Sequence, residues 1–125
     1  MKIERIQYKR AKGSKQQKLG VYPITRNTKL ENVFKRSVFG VEGSIELFRK
    51  CIDNPLYVYE VDELTLVEQD KYYLHFKTAQ EEFARITAPT FISKRRRLII
   101  ACWCRVNEPC HGDIIIEKIN EQLNR

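Results

Sequence analysis

Residues 98–113, Leu-Ile-Ile-Ala-Cys-Trp-Cys-Arg-Val-Asn-Glu-Pro-Cys-His-Gly-Asp, decide the fold. The first seven residues of this stretch form an unbroken apolar run, which is typical of a central strand that is covered on both faces. A tight turn follows over residues 105–112, and after it apolar residues recur at helical spacing: Ile115, Ile116, Ile119 and Leu123. The pattern predicts a strand, a loop and a helix that begins at Asp113, which is a natural N-cap.

The N-terminal third predicts two strands and an irregular connection. Residues 2–8 alternate in character and predict the first strand. Residues 20–25 are extended, but Pro23 lacks a backbone N–H, which argues for a sheet edge or a loop that crosses the sheet. Residues 26–39 show no period, and an irregular connection of this length is uncommon unless it has a function or is disordered.

Two helices and two strands are predicted in the middle of the chain. Ser44 is a natural N-cap of a helix that ends before Pro55. Residues 56–61 and 71–76 are rich in aromatic and β-branched side chains, which predicts strands. A capping-box pattern at residues 78–81 predicts a short helix, with an inner face made of Ala79, Phe83 and Ile86.

Length and composition limit the class of protein. A chain of 125 residues, 42% of them hydrophobic, can bury a core, and the alternation of strands and helices predicts one α/β domain over residues 1–125. We expect a small sandwich with a mixed, partly parallel, Rossmann-like sheet. No apolar run reaches the length of a membrane span and the N-terminus has no signal-peptide core, so we expect a cytoplasmic protein without a membrane partner.

The net charge of +7 is unevenly distributed. Eight basic residues and no acidic residue lie between residues 5 and 29, whereas six acidic residues and no basic residue lie between residues 53 and 70. Residues 9–18 belong to the basic part, are polar, and predict a mobile loop. The basic end is either a solvated surface or a site that attracts nucleic acid or phosphorylated ligands, and charge alone does not decide between them.

The predicted start of the last helix holds the candidate catalytic residues. Ligands of open α/β sheets bind beyond the carboxyl ends of the strands, where a helix start offers unpaired N–H groups. Cys110 at that position is a candidate nucleophile, since a helix N-terminus and a neighbouring histidine lower a thiol pKa. His111 is a general base, a neutral hydrogen-bond partner or a turn residue. Gly112 permits close approach of a ligand, and capping is preferred to catalysis for Asp113.

Three of the four cysteines lie within nine residues, and a reducing compartment favours core thiols, metal ligands or reactive groups over disulfides. On a strand, Cys102 and Cys104 point to one face, with Cys104 towards the ligand and Cys102 deeper as a core residue, while Trp103 points to the other face. Zinc bound by Cys102, Cys104, Cys110 and His111 is the less favoured alternative. The reason is that a strand holds the Cα atoms of a C-x-C pair roughly 6–7 Å apart and that adjacent Cys and His side chains diverge. No cofactor is predicted.

Two blocks of the chain resemble a known family. Cys102-Trp103-Cys104 followed by Cys110-His111-Gly112-Asp113 is similar to the CWC and CHGD signature of a small phage and bacterial family, domain-of-unknown-function family 4326. The family also has an upstream R-P-S-x-x-G-N-P-F block. Arg26, Asn32 and Phe34 coincide with that block, Thr28 replaces its serine, and Glu31 and Val33 replace its glycine and proline. Phe48-Arg49 fits a further aromatic-arginine pair, and residues 55–92 look like an insertion or a divergent segment.

The resemblance implies a shared site for the two blocks. Arg26, Thr28 and Asn32 would approach the turn over residues 104–113, and arginine beside a helix N-terminus suits phosphate or another anion. The alternative is that Arg26 and Asn32 brace the loop through backbone carbonyls.

Two classes of function therefore stay open. The favoured hypothesis is a protein that binds, with or without turnover, a nucleotide-like phosphorylated ligand at the junction over residues 102–113. The alternative is a non-enzymatic phage accessory protein that binds nucleic acid or a host protein through its basic N-terminal region. The sequence leaves the oligomeric state open as well.

Overall fold

The computed structural model describes residues 2–7, 21–92 and 97–124, in which strands and helices alternate. The predicted mobile loop over residues 9–18 lies outside the described residues. In chain order the elements are β1 (Lys2–Gln7), β2 (Val21–Pro23), α1 (Arg36–Phe39), α2 (Val41–Asp53), a 3₁₀ helix (Pro55–Glu60), α3 (Leu66–Ile86), α4 (Pro89–Ile92), β3 (Arg97–Cys102) and α5 (His111–Leu123).

The sheet confirms the α/β class. Its strand order is β1-β3-β2 and both strand pairs are parallel. The strand predicted from the apolar run is β3, which lies at the centre with Leu98 and Ile100 buried. The two flanking strands are β1 and β2, which lie within the predicted ranges, and Pro23 ends the edge strand β2, where its missing N–H is tolerated. Parallel order brings the carboxyl ends of β2 and β3 to the same edge of the sheet.

The helices cover the sheet and close the core. α5 packs against β1, β3 and α2, and buries Ile114, Ile115 and Ile119. The ring of Phe76 from α3 lies 5.8 Å from the rings of both Phe34 and Phe48, measured between centroids. Among the residues with defined coordinates, no helix combines the length and apolar character that a membrane span needs.

Helix α2 begins earlier than predicted. Its N-cap is Gly40, which has a φ of 76°, and Val41 is the first helical residue. The predicted N-cap, Ser44, is wrong, because this side chain lies inside the helix and its hydroxyl donates to the Val41 carbonyl at 2.9 Å. The buried side of the helix holds Phe48, Cys51 and Ile52.

The strands predicted at residues 56–61 and 71–76 are wrong. The first run is the 3₁₀ helix, in which Pro55, Val58 and then Val61 are buried at a spacing of three. The second lies inside α3, which starts at a true capping box formed by Thr65 and Glu68. The predicted helix start at residues 78–81 therefore lies in mid-helix, although its inner face of Ala79, Phe83 and Ile86 is buried as expected.

Candidate functional site

The junction between β3 and α5 is tighter than the sequence predicts. β3 ends at Cys102, the chain bends at residues 103 and 104, and Cys110 is the N-cap of α5. The Gly112 N–H donates to Cys110 Sγ over 3.3 Å. The prediction of Asp113 as N-cap is wrong, because the helix starts at His111 and Asp113 already lies in its first turn.

Arg5 of β1 holds this junction together. Its guanidinium is 5% exposed and its Nε donates to Asp113 Oδ1 at 3.0 Å. The terminal nitrogens donate to the carbonyls of Arg105, Val106 and Glu108 at 3.1, 2.7 and 2.8 Å, and one of them lies 3.9 Å from Cys102 Sγ. All five N–H donors of the fork thus have acceptors. Sequence analysis missed Arg5, since no pattern relates it to partners about a hundred residues away.

Gly112 serves the packing of Arg5. A Cβ at this position would lie 2.7 Å from Cδ of Arg5 and 3.0 Å from Cδ1 of Ile24. Both distances are shorter than ordinary contact, and Arg5 cannot move without losing its hydrogen bonds. The close approach predicted for Gly112 therefore exists, but the approaching group is a protein side chain.

His111 is a buried, neutral residue of the core. Its Nε2 lies 3.1 Å from the Ile24 carbonyl, and its ring packs edge-on against Phe48 with centroids 5.1 Å apart. Burial lowers the pKa of His111 to about 4. Of the three roles that the sequence leaves open, this geometry fits a neutral hydrogen-bond donor.

Three cysteine sulfurs meet at the junction. The Sγ atoms of Cys102, Cys104 and Cys110 all lie within 4.8 Å of one another, which is close enough for them to hold a metal ion, and those of Cys102 and Cys110 are 2.9 Å apart. The strand spacing predicted for Cys102 and Cys104 does not apply, because β3 ends at Cys102 and the bend at 103–104 returns the Cys104 thiol towards its neighbours. His111 is not one of the group, although its Nδ1 lies 3.8 Å from Cys110 Sγ.

The thiol that most favours the ionised form is Cys102. A hydrogen bond from Cys110 is the largest cause that lowers the pKa of Cys102 to about 6. Donating that hydrogen bond, together with burial, raises the pKa of Cys110, which is 1% exposed. Burial raises the pKa of Cys104. The expectation of a nucleophile at Cys110 stays a prediction, and the electrostatics favour its neighbour.

A second arginine reaches the cysteines from α1. Arg36 donates to Cys104 Sγ at 2.9 Å and to the Pro109 carbonyl at 3.0 Å. Sequence analysis missed this residue too, because it lies in the segment without a period. Arg5 and Arg36 therefore approach the sulfurs from two different elements, β1 and α1.

A cavity of about 770 Å³ opens beside the cysteines, at the carboxyl ends of β2 and β3. Its walls are residues 24–27 and 31–36, four residues of the first half of α3 (Glu68, Lys71, Tyr72 and His75), residues 102–104 and His111. Trp103 lies on the wall and is 47% exposed. The contribution of α3 was not foreseen, since a strand was predicted there. The ionisable groups on the wall are Arg26, Lys35, Arg36 and Lys71, with His75, Cys102 and Cys104, and the carboxylates Glu31 and Glu68.

The upstream block reaches the same cavity, as the resemblance implies. The exposed side chain of Arg26 lies on its wall. Asn32 also lines the cavity but braces the loop, because its amide donates to the Ser44 carbonyl at 3.1 Å and its Oδ1 accepts from the Phe34 N–H at 3.0 Å. Thr28 donates to the Thr25 carbonyl at 2.6 Å. Asn32 and Thr28 therefore brace the loop, whereas Arg26 lies on the wall of the cavity.

The aromatic-arginine pair that fits the family, Phe48-Arg49, lies on α2. Phe48 is fully buried, and Arg49 forms ion pairs with Glu46 and Glu117.

A family model described as "Domain of unknown function (DUF4326)" matches residues 6–121, so the chain belongs to that family. No curated protein and no solved structure matches the chain.

Proposed function

We propose that the protein binds a nucleotide-like phosphorylated small molecule in the cavity beside residues 102–104. A volume of about 770 Å³ is within the size range of small-molecule sites. The cavity wall carries four basic side chains against two carboxylates, and one of these carboxylates, Glu68, is held in the capping box of α3. The excess of positive charge favours an anion.

One observation carries the proposal: the guanidinium of Arg26. This side chain lies on the cavity wall, and no hydrogen bond or ion pair engages it in the part of the chain that the structure describes. Its planar fork can bind two oxygens of a phosphate group without first giving up a partner in the protein. Lys35 and Lys71 flank the same cavity and add charge.

Aromatic side chains favour a ligand that also has a ring. Trp103 is 47% exposed at the cavity, and Tyr72 is half-buried and also lines it. Exposed aromatic faces stack on heterocyclic bases, with a contribution of about 1–3 kcal/mol per base. A ligand with a phosphate group near Arg26 and a base near Trp103 would contact both the basic and the aromatic side chains of the wall.

The proposal covers binding and needs no metal, because protein cations supply the positive charge. It includes a cytoplasmic location, where phosphorylated ligands are available and thiols stay reduced. The alternative of nucleic-acid or host-protein binding depends on Lys9, Arg10, Lys12 and Lys15, which lie outside the described residues.

Isothermal titration with ATP, ADP, adenosine and inorganic phosphate tests the proposal. We expect the phosphorylated nucleosides to bind more tightly than adenosine or phosphate alone. Arg26→Ala should weaken that binding about 10- to 100-fold, the loss expected for a charge-assisted hydrogen bond. Arg105→Ala is the matched control, since this arginine is exposed and lies off the cavity wall. Absence of binding, or equal binding by Arg26→Ala and wild type, would refute the proposal.

A further inference from the structure

We infer that Cys102, Cys104 and Cys110 form a binding site for one thiophilic divalent metal ion of the zinc class. The three Sγ atoms lie within 4.8 Å of one another, and those of Cys102 and Cys110 are 2.9 Å apart. Tetrahedral zinc–thiolate bonds of about 2.3 Å require sulfurs about 3.8 Å apart. The three thiols reach that arrangement by side-chain adjustments of about 1 Å, without a change of the backbone.

Each sulfur already accepts one N–H group from a different part of the fold. The donors are the Arg5 guanidinium to Cys102 (3.9 Å), the Arg36 guanidinium to Cys104 (2.9 Å) and the Gly112 backbone N–H to Cys110 (3.3 Å). Partners of this kind orient ligands and stabilise them as thiolates in metal sites. The Gly112 N–H caps α5 through Cys110, and the two guanidinium groups are donors that capping does not account for.

Charge balance points the same way. Three thiolates carry three negative charges, and a divalent ion neutralises two of them. The Asp113 carboxylate, which pairs with Arg5, adds one negative charge, so the two guanidinium groups of Arg5 and Arg36 balance the two that remain. The Arg5 side chain is 5% exposed. A site of three thiolates without these arginines would hold an uncompensated buried charge.

The fourth coordination position faces the cavity. Cys102 and Cys104 line the cavity, whereas Cys110 is 1% exposed behind them. His111 lies outside the group of three sulfurs, with its Nε2 on the Ile24 carbonyl and its Nδ1 3.8 Å from Cys110 Sγ. No fourth His, Cys, Asp or Glu joins the cluster within residues 2–7, 21–92 and 97–124. Three protein ligands with one open position is the arrangement of zinc sites that bind water or a ligand.

Titration of the reduced full-length chain with Zn²⁺ and Co²⁺ in the absence of oxygen tests this inference. We expect one ion per chain in competition with a chromophoric chelator, and a thiolate-to-cobalt charge-transfer band with Co²⁺. Zn²⁺ should also raise the midpoint of thermal unfolding. Neither measurement involves a nucleotide, so this inference and the proposed function can fail independently.

Variants make the assignment specific. Cys104→Ser should abolish the charge-transfer band while circular dichroism shows a folded chain, since Cys104 is the least buried of the three cysteines. Arg36→Ala should keep all three ligands and weaken Zn²⁺ binding about 10- to 100-fold, as loss of an outer partner does. Cys51→Ala is the control, because Cys51 lies on α2, outside the cluster.

Three results would overturn the inference. They are a reduced chain that binds no ion, binding that survives unchanged in Cys104→Ser, and a chain that excludes metal because Cys102 and Cys110 have joined in a disulfide under the conditions of the titration. Mass spectrometry without reductant identifies the last of these.

Discussion

Arg5 and Arg26 lie at the same junction and are used in opposite ways. Arg5 is 5% exposed and directs all five of its N–H donors to protein acceptors, whereas Arg26 is exposed and, within the described residues, has no such partner. We call the packing around Arg5, with the carbonyls of residues 105–108, His111 and Gly112, the closed side. The open side is the cavity wall that carries Arg26, Lys35, Lys71 and Trp103.

The difference between the two sides lies in desolvation. A guanidinium can be taken out of water only if each N–H group finds an acceptor, and the closed side supplies three backbone carbonyls, a carboxylate oxygen and a sulfur. The open side keeps its cations in contact with solvent, so they remain available to a ligand. The same residue type therefore stabilises the fold at one position and is free for recognition at the other.

The largest expected effect is that of Arg5→Ala. Removing the guanidinium takes this partner from the carbonyls of Val106 and Glu108 and from Asp113, and it removes the packing of a side chain that is 5% exposed. We therefore expect a loss of about 3–5 kcal/mol in the free energy of unfolding. Urea denaturation measures it. Arg105→Ala should stay within about 0.5 kcal/mol, because this exposed side chain has only an ion pair with Glu108 at 3.6 Å. If the two variants are equally stable, the contrast between the sides is wrong.

Acid should weaken the closed side next. Burial lowers the pKa of His111 to about 4 from 6.5, so the unfolded chain takes up a proton in this range while the folded chain does not. The contribution of neutral His111 to the free energy of unfolding is therefore complete above pH 6.5. It is lost as the pH decreases towards 4, by about 3 kcal/mol in total. His111→Gln keeps an N–H donor but does not titrate, and should show a smaller decrease over that range. Parallel curves for the variant and the wild type would contradict the assignment.

Gly112→Ala should lower the free energy of unfolding by an amount similar to, or smaller than, the decrease expected in acid. The added methyl group meets Arg5 at 2.7 Å, and overpacking of this kind destabilises by about 1–3 kcal/mol. Gly43→Ala is the matched control, since its Cβ would meet only Phe39 Cβ at an ordinary 3.6 Å within a helix that alanine favours. In the double variant with Arg5→Ala, the cost of Gly112→Ala should shrink. Strict additivity would show that Arg5 is not what the glycine accommodates.

The smallest effect on stability is expected on the open side. Arg26→Ala removes no contact with the described residues, so the free energy of unfolding should change by less than about 0.5 kcal/mol. The same denaturation experiment checks this. A clear destabilisation would mean that Arg26 belongs with Arg5 as a structural residue, and would remove the main support for ligand binding.

The central strand and the last helix could be predicted because their signals are local. The apolar run before Cys102 and the spacing of Ile115 and Ile119 depend only on neighbours in the sequence. The site was predicted at the junction for the same reason, and the resemblance supplied Arg26. In contrast, β propensity gave a wrong prediction for residues 71–76. Burial of Phe76, Ala79 and Phe83 on one face of a long helix outweighs the local preference there.

Two features of the site could not be predicted from local pattern. Cys104 returns to its neighbours only because β3 ends two residues earlier than its apolar run suggests. Arg5 could not be assigned because it meets Asp113 across 108 residues of sequence. Nothing in either segment indicates the other. The capping box at Thr65 and Glu68, however, is a local sequence pattern, and it would have corrected the prediction for the middle of the chain.

The span of the Arg5 contacts has a consequence for biosynthesis. β1 pairs with β3, and Arg5 meets its acceptors at residues 102–113, so a growing polypeptide cannot complete the junction until those residues have left the ribosome. Such long-range contacts raise the contact order and slow folding. Until then the cysteines and the strand edge of β1 lack their partners, and a nascent chain is exposed to oxidation and to pairing with other strands.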